Sequence, residues 1–108
     1  MSTSAPRYLI QPWENLGRDE VAAIFRLRIE VFVIEQDCPY QDIDGLDALA
    51  NHLMVLDGDQ LVAYSRILPP GTSYHDAASI GRILTAKSHR SRGIGAKMIR
   101  LSIDHIRE

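Results

Sequence analysis

The last third of the chain constrains its fold more than any other stretch. A β-prone run, Ile80-Gly81-Arg82-Ile83-Leu84-Thr85, is followed by Arg90-Ser91-Arg92-Gly93-Ile94-Gly95 and then by a helix-forming segment. Strand, tight turn and helix in that order leave unpaired main-chain N–H groups at a helix start, where the helix dipole also favours an anion. Gly93 and Gly95 carry no Cβ, so a ligand can approach the backbone closely. The flanking arginines add positive charge. A diphosphate suits such a turn.

Upstream, strand and helix periods succeed one another. Tyr8-Leu9-Ile10 is a brief apolar run stopped by Pro12, which suits a first strand at a sheet edge. From Asp19, read as an N-cap, Val21, Ile24, Phe25, Arg28 and Phe32 recur at helical spacing, and Leu27 and Val31 broaden the face. This helix is expected to end before Pro39. The Asp-, Pro- and Gly-rich stretch from Asp37 to Asp47 reads as a loop. Asp57-Gly58-Asp59 separates two alternating runs and predicts a hairpin of His52 to Leu56 with Gln60 to Leu68, ended by Pro69-Pro70-Gly71. A further strand spans Ser79 to Thr85. The last helix begins near Gly95, with Ile94, Met98, Leu101, Ile99, Ile103 and Ile106 expected on its buried face.

Composition limits what these elements can be. With 108 residues, 45% of them hydrophobic, the chain is the size of one domain; residues 1–6 read as a tail and 7–108 as that domain. A net charge of −2 and a pI near 6.0 argue against a nucleic-acid partner, whose footprint is a strongly basic face. A single cysteine excludes an internal disulfide framework, and no apolar run approaches membrane-spanning length. The N-terminus lacks the charged-then-apolar order of a signal peptide. The expected location is the cytoplasm, with no membrane partner.

The spacing of Arg90, Gly93 and Gly95, Arg-x-x-Gly-x-Gly between strand and helix, resembles the acetyl-CoA pyrophosphate loop of the GNAT superfamily of N-acetyltransferases. The block from Phe25 to Asp47 closely resembles the first-helix region of the ElaA-like branch, and Asn51 to Leu56 and Leu61 to Leu68 look like that family's central antiparallel strands. The likeness runs from about Tyr8 to the C-terminus. It implies an α+β fold with an antiparallel-rich central sheet flanked by helices, a partial acyl-CoA N-acyltransferase fold. It also implies acetyl-CoA as cosubstrate and transfer of acetyl to a primary amine on a small molecule. By the same resemblance the backbone amides of Leu84 and Thr85 would hold the thioester arm. Those of Ser91, Arg92, Gly93, Ile94, Gly95 and Ala96 would hold the pyrophosphate, with charge added by Arg90 and Arg92. The family fold continues with a fifth strand, a fourth helix and a closing strand pair that have no counterpart here. The fourth strand is therefore expected to cover its edge in a homodimer or higher oligomer, or else the chain is a truncated product of marginal stability. A second reading is a non-catalytic CoA-binding or dimerising remnant completed by another chain.

Glu35 and His52 are the candidate proton acceptors, since a carboxylate or an imidazole near the centre of the sheet can relay a proton through water. His52 can equally be a hydrogen-bonded structural residue, and Glu35 a brace for the following loop. Arg82 either reaches the cofactor or pairs with a carboxylate. Tyr40 and Tyr64 either line an acceptor pocket or pack against loops. Cys38, before Pro39 and without an identifiable base, reads as a packing residue. Asp37, Asp42, Asp44 and Asp47 do not follow the alternation of a calcium loop, and are expected to solvate the loop or attract a cationic amine. His75, His89 and His105 lack metal-ligand spacing and read as surface residues.

Overall fold

The computed structural model describes residues 5–72 and 74–108, so residues 1–4 of the expected tail lie outside the described residues. Four strands, β1 (Arg7–Pro12), β2 (Asn51–Asp57), β3 (Gln60–Leu68) and β4 (Ser79–Thr85), form one antiparallel sheet in chain order. β1 is an edge strand, as Pro12 requires, and β4 is the other edge. Helix α1 (Arg18–Arg28) covers one face of the sheet and α2 (Ile94–Arg107) the other.

Strand alternation divides the core between these faces. Ile24, Leu27 and Val31 pack on Met54, Tyr64 and Leu84, while Ile94 and Met98 pack on Leu53, Val55, Val62 and Ala63. A register shift between Val55 and Leu56 explains why the neighbours Val62 and Ala63 share the α2 face, since an extra residue in β3 resets its phase. Each fully buried aliphatic side chain contributes about 1.5–3 kcal/mol.

Helix α1 starts two residues earlier than its sequence suggests. Gly17, not Asp19, is the N-cap, and its amide donates to Glu20 Oε1 at 2.8 Å, so a carboxylate from the first turn satisfies the end of the helix. After Arg28 the winding widens into a π-helical segment, Ile29–Glu35, that ends before Pro39. Its β-branched Ile29, Val31, Val33 and Ile34 crowd a tight α-turn.

The buried line of α2 is Ile94, Met98 and Ser102, with Leu101 half-buried. Ile99, Ile103 and Ile106, expected in the core, are 42%, 37% and 38% exposed. The apolar stripe is wider than one sheet face can cover. Lys97 Nζ lies 4.4 Å from the centre of the Tyr8 ring on β1. At 100° per residue the three isoleucines lie on the flank opposite Lys97, away from β1.

A second register shift, between Tyr64 and Arg66, sets Arg82 and Ile83 opposite Ser65 alone. Arg82 takes φ 50°, a left-handed conformation that costs a side-chain-bearing residue about 1–2 kcal/mol. Its side chain compensates: Nε donates to Asp42 Oδ1 at 2.8 Å and Nη2 to the Asp42 carbonyl at 3.0 Å. Arg82→Gly and Arg82→Ala both lose these bonds, but only alanine keeps the strain. Urea denaturation is expected to find the alanine variant about 1 kcal/mol less stable than the glycine variant. The reverse order would mean that the backbone at this bulge is unstrained.

Candidate functional site

The turn between β4 and α2 is a set of unspent donors. Gly93 caps α2 at φ 77°, and the first helical bond runs from the Lys97 amide to the Gly93 carbonyl at 3.2 Å. Among the described residues no amide from Ser91 to Ala96 donates to a protein acceptor. Among the described residues, a Cβ placed on Gly95 would meet no atom within 4 Å, so the turn is open on that side.

Just upstream, the Ala86 amide donates to the Val62 carbonyl at 2.7 Å. Alternation along an antiparallel ladder then directs the main-chain groups of Leu84 toward β3 and those of Thr85 to the open edge. Arg90 ties that edge back: its Nε donates to the Thr85 carbonyl at 2.9 Å, and its Nη2 pairs with Glu35 Oε1 at 2.7 Å. The chain before the turn is anchored again by His89, whose Nε2 lies 2.8 Å from Asp57 Oδ2 and whose Nδ1 lies 2.7 Å from Ser88 Oγ. Arg92 Nη2 donates to the Ser88 carbonyl at 3.2 Å. Between α1, the π-helical segment and residues 86–88 lies a cavity of about 580 Å³, with Leu27, Val31, Leu61 and Ala86 among its walls and Glu35 on its rim.

The loop after the π-helical segment is fastened by buried charge. Fully buried Arg28 donates Nε to Asp42 Oδ2 at 2.8 Å and Nη1 to Asp47 Oδ1 at 2.6 Å. Arg66 grips Asp44 with two bonds of 2.8 Å and reaches Asp47 at 3.1 Å. Three arginines thus meet three aspartates on the α1 face. Hydrogen bonds from Arg66 hold the Asp44 carboxyl well below its usual range, against the opposing effect of burial. The expectation that these aspartates solvate the loop or attract an amine is therefore corrected, since Asp42, Asp44 and Asp47 are spent on arginines. Of the two alternatives for Arg82, pairing with carboxylates is the one observed.

His52 is fully buried. Its Nε2–H donates to the Asp47 carbonyl at 2.9 Å, which leaves Nδ1 to accept from the Tyr64 hydroxyl. Burial lowers the imidazole pKa and raises that of the Tyr64 phenol. Tyr64 is thus a core residue. Tyr40 is exposed, donates to Asp42 Oδ1 at 2.9 Å, and lies under the Arg82 guanidinium.

The structure brings Glu35, Thr85, Arg90 and the turn Ser91–Ala96 together at one end of the sheet, and places His52 apart from them within the charged core. Two smaller expectations need correction. His89 is buried rather than a surface residue, because Asp57 and Ser88 satisfy both ring nitrogens. Cys38 is exposed rather than packed, one residue after left-handed Asp37, φ 49°. Sequence reasoning also left Arg28 and Arg66 without partners. Their signal was present: a cation at an inward position of a helix and of a strand, with an acidic loop to neutralise it.

A family model described as the acetyltransferase (GNAT) family matches residues 19–108. A UPF0039 protein of Synechocystis sp. is 42% identical over 90 residues, covering 82% of this chain and 58% of that protein. Protein ElaA of Escherichia coli is 34% identical over 99 residues, covering 85% of this chain and 64% of ElaA. The chain thus spans less than two thirds of the length of either relative. An acyl-CoA N-acyltransferase from Pseudomonas aeruginosa shares the fold with a TM-score of 0.89 at 34% identity, over 94% of this chain and 68% of that one. The α+β fold is that of the acyl-CoA N-acyltransferases.

The charged core makes stability depend on pH in a defined direction. Below 6.5 an unfolded His52 binds a proton that the buried imidazole resists, so its contribution is complete above that value and is lost as pH falls. Asp44 behaves in the same sense, with its contribution present above 3.8 and lost below. Melting temperatures are expected to fall from pH 7 to 5 and more steeply below about pH 4. His52→Gln should flatten the first decline; an unchanged decline in that variant would remove His52 as its source.

Proposed function

The chain belongs to the acetyltransferase (GNAT) family, and from that premise we propose that it is an acetyl-CoA-dependent N-acetyltransferase whose acceptor is a primary amine on a small molecule. The observation that carries this reading is the run of unspent amides from Ser91 to Ala96 at the start of a 14-residue helix. These donors fit a diphosphate, because the helix dipole and the amide N–H groups converge on the same anion. Gly95 leaves room for it to approach. When bound, acetyl-CoA supplies the thioester that acylates the amine.

In this reading the outward main-chain groups of Thr85 steady the thioester arm. The Leu84 amide, expected to share that role, faces β3 and takes no part in it, and Arg92 adds positive charge beside the turn. Glu35, at the rim of the cavity, is the proton acceptor for the incoming ammonium. His52, with both ring nitrogens engaged, is a brace between Tyr64 and the acidic loop. The reading places the protein in the cytoplasm.

The open β4 edge and the exposed Ile83, Ile99, Ile103 and Ile106 support association through that edge into a homo-oligomer. They also favour one second reading, a CoA-binding subunit without activity of its own that another chain completes.

Calorimetry with acetyl-CoA, run beside a thiol-release assay over a panel of amines, separates the two readings: turnover supports the enzyme, and binding without turnover supports the subunit. Substitution at Gly95 tests the turn better than at Gly93, because φ 77° at Gly93 would strain any side chain in the free protein. Gly95→Val is expected to leave the melting temperature unchanged or higher, and to weaken acetyl-CoA binding by about tenfold or more. Undiminished affinity would dismiss the turn as the phosphate site. Light scattering is expected to give a mass above that of one chain, reduced by Ile103→Asp; a monomeric wild-type protein would remove the edge association.

A further inference from the structure

The cavity beside α1 has a distribution of charge that the reading above leaves unused. Its floor is aliphatic, formed by side chains such as Leu27, Val31 and Leu61. Its rim carries Arg26, Glu30, Glu35 and Lys87. Glu35 is neutralised by Arg90, but among the described residues Arg26, Glu30 and Lys87 have no opposite charge within ion-pair distance. Two cations and one carboxylate therefore stand around a pocket with an aliphatic floor.

The π-helical segment is what creates this arrangement. Glu30 and Glu35 are five residues apart, which in α-helical winding would set them about 140° from each other. In a π-helix, whose hydrogen bonds close over five residues, they return to one side and both reach the cavity. The cavity also abuts Ala86, one residue beyond Thr85. An amine seated there is next to the strand end assigned above to the thioester arm.

We infer that this cavity is the acceptor subsite and that it takes a zwitterionic amine of the amino-acid type. Glu30 receives the ammonium, Arg26 and Lys87 receive an anionic group, and the aliphatic floor receives the side chain. Charge decides against the main competitor, a simple polyamine. Such a ligand would bring several ammonium groups to a rim that, among the described residues, offers one unpaired carboxylate and two cations. The inference rests on the acetyltransferase reading for its role, but not for its binding event, which is measurable in the free protein.

The test uses the full chain without acetyl-CoA and three probes of one shape: L-leucine, 3-methylbutylamine, which lacks the carboxylate, and 4-methylpentanoate, which lacks the amine. Methyl NMR titration is expected to show saturable shifts at Leu27, Val31 and Leu61 with leucine, at an affinity about tenfold above that for either single-charge probe. Lys87→Met should erase the preference over the amine, and Glu30→Gln the preference over the acid. Equal or tighter binding of the amine alone, shifts confined to other methyls, or displacement of leucine by CoA would each overturn the inference. Acetyl-CoA calorimetry on the same protein separates the two failures. Leucine binding without acetyl-CoA binding sinks the acetyltransferase reading, and acetyl-CoA binding without leucine binding sinks only the subsite.

Discussion

Arg28 holds the structure's most consequential interaction. A guanidinium with no solvent exposure on the inner face of α1 is tolerable only because Asp42 and Asp47 close around it at 2.8 and 2.6 Å. Removing one partner from such a set strands a buried charge and typically costs about 3–5 kcal/mol. The network therefore does more than neutralise charge. It draws an irregular segment of about ten residues against the sheet, where Asp47 then offers its carbonyl to His52 and its carboxylate to Arg66. The satisfaction is incomplete: Asp47 Oδ2 and Arg66 Nε are buried without a protein partner among the described residues.

The same loop reaches the far edge of the sheet through Arg82. A left-handed arginine next to a glycine is an unusual choice for a bulge, because the glycine would adopt that conformation freely. Here the side chain makes the difference, with Asp42 and Asp44 beneath it and Tyr40 against its face. The bulge resets the phase of β4, so that Leu84 enters the core and Thr85 opens to the edge. Loop, bulge and strand end thus form one mechanical sequence that begins at Arg28.

Much of this was legible in the chain. Period-two runs on either side of Asp57-Gly58-Asp59 located the central hairpin, and the two glycines marked the start of α2. The α1 boundary slipped because Glu20 can reach back to Gly17, a possibility that N-cap preference alone ranks below Asp19. The isoleucines of α2 were misplaced because periodicity reports the width of an apolar stripe, not the width of the surface that covers it. The π-helical winding left no periodic trace over seven residues, and with it went any view of Glu30 and Glu35 side by side. Pairings such as Arg28 with Asp47, distant in sequence, depend on a tertiary approach that local patterns do not encode.

Arg90 spans two places at once, the carbonyl at the end of β4 and the carboxylate at the end of the π-helical segment. One guanidinium offers a limited set of donors, so an anion arriving at the neighbouring turn competes with Glu35 for the same group. Linkage makes that competition mutual: whatever occupies Glu35 leaves Arg90 freer for an anion, and an anion on Arg90 leaves Glu35 freer for a cation. A single cation shared in this way couples whatever lies on either side of it without any change of shape.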